Sequence, residues 1–300
     1  MDIQDTYTLR GICMLMIIVH HVLRNAPFAP WSVGALWGDL GTAVFFFISG
    51  WGLYCSMEKR VKIDWSYFGL NIKKLIVPFL VVWLVTEVIY QFIHPELAWS
   101  GYGKIWFIEV ISGAYIASIL TFMLVKNRLA RVSIVLILCA IYIYIAGKVL
   151  QLPSYRWCSS FCFPFGMWLS AYKNELKSVL SYKWVIAVVS AAIYVVFVNH
   201  NYFPIAAAIK YEPAFCMLAV SLISIFNIQS KILYYVGKKS LLFYLIHIAV
   251  LLLITEMLGG VNQHHILIFG IVLGLTFAFS WAYTKVEDLL YKSLCKENKK

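Results

Sequence analysis

The sequence predicts an all-α polytopic membrane protein of about ten transmembrane helices with both termini in the cytoplasm. Three observations carry that prediction. The first is composition: 62% of the residues are hydrophobic and only 13% are charged, and mean hydropathy is +0.80. An ordinary soluble domain is about half apolar and about a quarter charged, so this chain holds more apolar surface than one aqueous core hides. The second is the succession of apolar runs long enough to span a bilayer, separated by short polar breaks. The third is where the basic residues fall between those runs.

The elements follow in order. The first helix is expected at 8–24, between Arg10 and Arg24, and the second at 36–56. The third, 73–93, opens on Lys73 and Lys74, and the fourth covers 104–124. The fifth, 132–149, follows Lys126, Arg128 and Arg131. The sixth and seventh, 157–172 and 184–199, are short for a hydrocarbon core of about 30 Å, and the Lys173–Lys183 basic segment separates them. The eighth and ninth are expected at 204–226 and 240–257, the ninth just after Lys238 and Lys239. The tenth, 265–285, leads into a charged tail. No cleavage pattern follows the first run, so it is expected to stay as a membrane helix. No internal repeat is visible, and residues 1–300 are expected to form one transmembrane domain with no appended soluble domain.

With the N-terminus inside, 20 of the 25 Lys and Arg residues fall on the cytoplasmic side. Arg24, Lys104, Lys148, Arg156 and Lys210 alone stay outside. This is the positive-inside pattern. It explains the net charge of +11 as topology and removes the reason to invoke nucleic acid. The seven cysteines are odd in number, mostly lie in apolar runs and show no zinc-site spacing. Neither a disulfide framework nor a metal is expected. Cys158 and Cys162 can meet on one helix face, where small apolar packing is the simpler role.

The first helix carries the chemistry. Arg10 and His21 are 11 residues apart, about three turns, so they share one face roughly 16 Å apart along the axis. Arg10 sits at the cytoplasmic edge and His21 well across the bilayer, where an ionisable group is costly and marks function by default. The alternative is a histidine that only hydrogen-bonds between packed helices. His20 points about 100° away and is read as packing or orienting its neighbour.

The segment LRGICMLMIIVHH, with Arg and His at that spacing, resembles the start of the acyltransferase-3 family. LGTAVFFFISGWGLYCS is similar to its second helix, at Phe46, Phe47, Ser49 and Gly50. IKKLIVPFL (72–80) resembles its basic entry into the third. KIWFIEVISGAY (104–115) is similar to its Trp-Phe motif. FPFGMWLS (163–170) and GKKSLLFYLIHIAV (237–250) resemble later helices, the last with Tyr-Leu-x-His ending at His247. The likeness runs from residue 9 to 250.

This resemblance implies a membrane O-acyltransferase of the bacterial inner membrane. It would move an acyl group, usually acetyl, from coenzyme A to a hydroxyl of a cell-envelope carbohydrate or lipid-linked sugar. Acetyl-CoA is then the donor, and no metal is implied. Arg10, Lys73 and Lys74 are expected to hold the donor phosphates, although Lys73 and Lys74 also suit plain positive-inside anchoring. Arg10 offers the bidentate geometry that Lys lacks. His21 is expected to act as general base, since imidazole titrates near neutrality.

Glu109 is either a carboxylate that orients His21 or a structural partner for a basic residue. Trp106, Ser49 and His247 are expected at the substrate. Ser49 and Gly50 also read as small residues that let helices approach, and His247 as an interhelical hydrogen bond. Glu87 is a weaker candidate deep in the third helix. Lys210 and Glu212 are expected to pair. Trp31, Trp37, Trp99 and Tyr102 read as interfacial anchors, and His94, His200, His264 and His265 as solvated loop residues.

Two rivals remain. A proton-coupled transporter or flippase also keeps His and Glu within its helices, but it more often shows repeated halves and broken helices. A scaffold without chemistry has no use for a histidine at this depth.

Overall fold

The computed structural model describes residues 2–24, 31–93, 106–200, 211–257 and 265–297. These residues are helical, with no strand among them. The elements are α1 (Ile3–Arg24), α2 (Trp31–Glu58), α3 (Trp65–Ile93), α4 (Trp106–Leu124) and α5 (Arg128–Tyr144). After α5 come a π-helical turn, Ile145–Val149, and two 3₁₀ turns, Ser154–Arg156 and Cys158–Phe161. Then follow α6 (Cys162–Ala171), α7 (Lys177–Ser181), α8 (Lys183–His200), α9 (Glu212–Phe226), α10 (Lys231–Lys238), α11 (Ser240–Met257) and α12 (His265–Glu297).

Six described helices are long and apolar enough to cross a membrane, or seven if α10 and α11 count as one broken span. The expected ten are therefore only partly matched. The 184–199 and 204–226 segments appear as shorter apolar helices, and residues 201–210 lie outside the described ones. The 157–172 segment starts as 3₁₀ turns and becomes α-helical only at Cys162. Pro164 explains this, because its ring clashes with the carbonyl four residues earlier and is tolerated only in a first helical turn.

Helix ends match local chemistry. Asn127 caps α5, its side chain accepting from the Ala130 amide at 2.9 Å. Asp64 accepts from the Tyr67 amide at 2.9 Å at the start of α3. Asn227 ends α9 in the left-handed region, φ 46°, which Asn tolerates at low cost.

The chain divides into two compact units. One comprises residues 1–13 and 39–238, the other 14–38 and 239–300. Reciprocal glycine contacts hold the first unit together. A Cβ on Gly50 would strike the Phe163 carbonyl oxygen of α6, and one on Gly166 would strike that of Phe47 on α2. Gly11 of α1 and Gly237 of α10 stand in the same relation to Leu233 and Tyr7. Without side chains at these points the backbones close together, the small-residue packing that membrane helices use in place of a hydrophobic drive. Phe46 and Phe47 are fully buried, and Phe46 packs on Phe107 with ring centroids 5.2 Å apart. In the second unit α11 packs along α12, with Phe243 edge-on to Phe277 at 5.7 Å.

Candidate functional site

The second unit contains a histidine cluster. His247 on α11 is fully buried. Its Nδ1 lies 3.0 Å from the Phe243 carbonyl oxygen. A carbonyl only accepts, so Nδ1 carries the proton and Nε2 of the neutral ring holds a lone pair. That Nε2 is buried and has no hydrogen-bond partner among the described residues. The His21 ring of α1 lies 5.3 Å from the His247 ring, tilted by 44°. His20 stands edge-on to His21 at 5.1 Å, and its ring fills the space that a Cβ on Gly38 would take. Tyr244 flanks His247 at 5.6 Å.

The first unit contains Arg10 on α1. The side chain is half-buried, and its Nε is buried with no partner among the described residues. Tyr115 of α4 and Tyr7 of α1 lie within electrostatic reach of the guanidinium. Tyr115 is hydrogen-bonded to Ser49 of α2, and Phe163 packs on the Tyr115 ring at 5.9 Å. Ser49 therefore sits beside Tyr115, which lies within electrostatic reach of Arg10.

A third group lines a cavity of about 320 Å³ between α4, α5 and the segment entering α6. Glu109 and Trp106 are here, together with Tyr142 and Arg156. Glu109 is solvent- or lipid-exposed. Trp106 packs on Tyr155 at 5.9 Å, and the Tyr142 hydroxyl donates to the Arg156 carbonyl at 2.9 Å. Lys73 and Lys74 are exposed on α3.

The structure thus places His21 with His247, Arg10 near Ser49, and Glu109 with Trp106. Glu212 is buried and hydrogen-bonded to Ser159, while its expected partner Lys210 lies outside the described residues. So do Trp99, Tyr102, His94 and His264. Glu87 is buried within α3. Cys162 meets Cys216 rather than Cys158.

The order and spacing of these groups have a match. A family model described as an acyltransferase domain, of the acyltransferase-3 type, fits residues 8–285. The chain belongs to the acyltransferase-3 family. No curated protein and no solved structure matches the sequence. The match covers nearly the whole of both units, from two residues before Arg10 to the middle of α12. This membrane acyltransferase therefore carries within its family domain all three groups described above.

Sequence reasoning missed Tyr115, Tyr7 and Arg156. Tyr115 was hidden in an apolar helix, where a tyrosine six residues after Glu109 carries no signal. Arg156 was read only as one of five outer charges, although a cation beside Tyr155 and Trp157 was already unusual.

Proposed function

We propose that this membrane acyltransferase moves an acyl group, acetyl first among the candidates, from acyl-CoA to a hydroxyl of a cell-envelope carbohydrate or lipid-linked sugar. The observation that carries the reading is one continuous 22-residue helix, α1. It bears both Arg10, with a buried and unsatisfied Nε, and His21, whose ring faces a second histidine of fixed tautomer. A buried guanidinium nitrogen without a partner favours a ligand that brings an acceptor to it, and a phosphate of coenzyme A supplies one. Lys73 and Lys74 add positive charge on the cytoplasmic side, where the positive-inside pattern places them.

In the reaction His21 takes the proton of the acceptor hydroxyl as its oxygen attacks the thioester carbonyl. The carbon–sulfur bond breaks, and the coenzyme A thiolate leaves and takes up the proton. His247 is a positioning residue. Its ring packs against that of His21 at 5.3 Å and restricts how the base can turn. Glu109 lies with the cavity group and takes no step in this reaction. The residence that follows is the bacterial inner membrane.

The test uses purified protein in detergent or nanodiscs. Acetyl-CoA binding and hydrolysis are measured for wild type, Arg10→Ala and His21→Ala. The reading expects weakened donor binding for Arg10→Ala and intact binding without turnover for His21→Ala. Absence of affinity for any acyl-CoA in the wild type overturns it and moves the transporter reading ahead.

A further inference from the structure

The cavity beside α5 has chemistry of its own. Its walls are apolar: Phe46, Val135, Leu138, Ala117 and Leu152 line it. At one end stand Arg156, Tyr142 and Glu109. The Arg156 Nε is buried and has no hydrogen-bond partner among the described residues. Leaving a buried donor of a charged group unsatisfied is costly, so the site favours a ligand that brings an acceptor to that nitrogen. The neighbouring face of α5 is apolar and exposed at Leu136, Ile137, Leu138 and Ile141. In a spanning helix such a face meets lipid, so the cavity is reached from the bilayer.

We propose that this cavity is a binding site for a bilayer phospholipid. One hydrocarbon chain lies along the apolar walls, and the phosphodiester takes a hydrogen bond from Arg156. Arginine matches phosphate oxygens in charge and fork geometry. Glu109, on the same rim near Tyr142, disfavours a second negative charge and accepts from a head-group hydroxyl or ammonium. The ligand class is therefore a singly charged phosphodiester lipid with a donor in its head. This inference does not rest on the transfer reaction.

Gly113 provides a clean test. It lines the cavity, and a Cβ placed there meets nothing within 4 Å. Gly113→Leu starts its side chain in that open space, and a helix favours Leu over Gly. The probes are lysophosphatidylglycerol and a monoacylglycerol of the same chain, followed by native mass spectrometry of the full-length protein released from detergent. Wild type is expected to retain the phosphate probe about tenfold better than the uncharged one. Arg156→Gln brings the phosphate probe down to the uncharged level, and Gly113→Leu loses both. Equal retention of the two probes by wild type, or unchanged retention in either variant, overturns the proposal. Thermal unfolding checks each variant, and Ala117→Phe fills the cavity from the next turn if Gly113→Leu fails to fold.

Discussion

Replacing His247 by leucine separates a functional from a structural histidine. Leucine is of similar size, so the site is neither emptied nor overfilled. The change removes the bond from Nδ1 to the Phe243 carbonyl, 3.0 Å long. That carbonyl keeps its helical partner, the amide four residues on. A typical hydrogen bond contributes about 0.5–1.5 kcal/mol net, and that much is lost. The change also removes Nε2, a buried acceptor without a partner among the described residues. Relief of such an orphan returns about 1–3 kcal/mol. The balance runs from about 0.5 kcal/mol less stable to about 2.5 kcal/mol more stable. The unfolding midpoint in detergent should therefore stay within about 2 °C of wild type or rise by a few degrees. Acyl transfer should fall at least tenfold at saturating donor, because His21 loses the imidazole ring that packs against it at 5.3 Å. The pH profile of residual activity should shift as well, which a purely structural role does not produce. A loss of more than about 2 kcal/mol, with activity falling only as folded protein falls, refutes the reasoning, because Nε2 would then be satisfying the fold.

Four further outcomes follow. Arg10→Lys keeps the charge but not the fork, so KM for the donor should rise about tenfold with a smaller change in kcat, measured by steady-state thiol release. Gly166→Ala and Gly237→Ala place a methyl against the backbone carbonyls of Phe47 and Tyr7 and should cost several kcal/mol, whereas Gly52→Ala, which meets nothing within 4 Å, should gain about 0.5–1 kcal/mol by helix propensity; unfolding midpoints decide. Gly38→Ala pushes on the His20 ring and should lower turnover several-fold with little change in donor affinity. Glu175, exposed in the turn after α6, is held below its ordinary value of 4.5, first by a backbone hydrogen bond and then by its pair with Arg128. A lowered carboxylate pKa stabilises above the unfolded value and loses that contribution as pH falls through the folded one. Glu175→Gln should therefore lower stability slightly in the neutral region and converge on wild type in acid, flattening the acid side of the profile, as read by unfolding midpoints across pH.

Much of the fold was legible because lipid demands long apolar runs and helices, and both are periodic in sequence. The starts of α5 and α11 fall within a few residues of expectation, since Asn127 and the Lys238–Lys239 pair mark them. The break before α6 was harder, because the apolar run continues through Pro164 and composition does not record a change of helix type. The site was legible only in part. Arg10 and His21 share a helix, so their spacing fixes a common face. The approach of His247 to His21 joins residues more than 200 positions apart, and the pattern within each helix does not encode it. The sequence pattern reads Ser49 as a packing residue or a substrate contact; its hydrogen bond to Tyr115, beside Arg10, is one that spacing does not show.

The glycines connect these parts. A guanidinium with a buried, unsatisfied nitrogen is stable only in a rigid surround, because a looser one would turn it toward water or a nearby carbonyl. Gly11 sits next to Arg10, and its contact with Leu233 presses α1 against α10. Gly50 sits next to Ser49, and its contact with Phe163 presses α2 against α6. Phe163 in turn packs on Tyr115. Arg10 and Ser49 therefore each border a point where two backbones meet, and rotation there is most restricted. An alanine at Gly11 or Gly50 should then act twice, lowering stability and raising donor KM in the folded fraction. An alanine at Gly166, on the far side of the same α2–α6 contact, should lower stability with a smaller effect on KM. If Gly50→Ala and Gly166→Ala change KM equally, the glycines serve packing alone and Arg10 is held by something else.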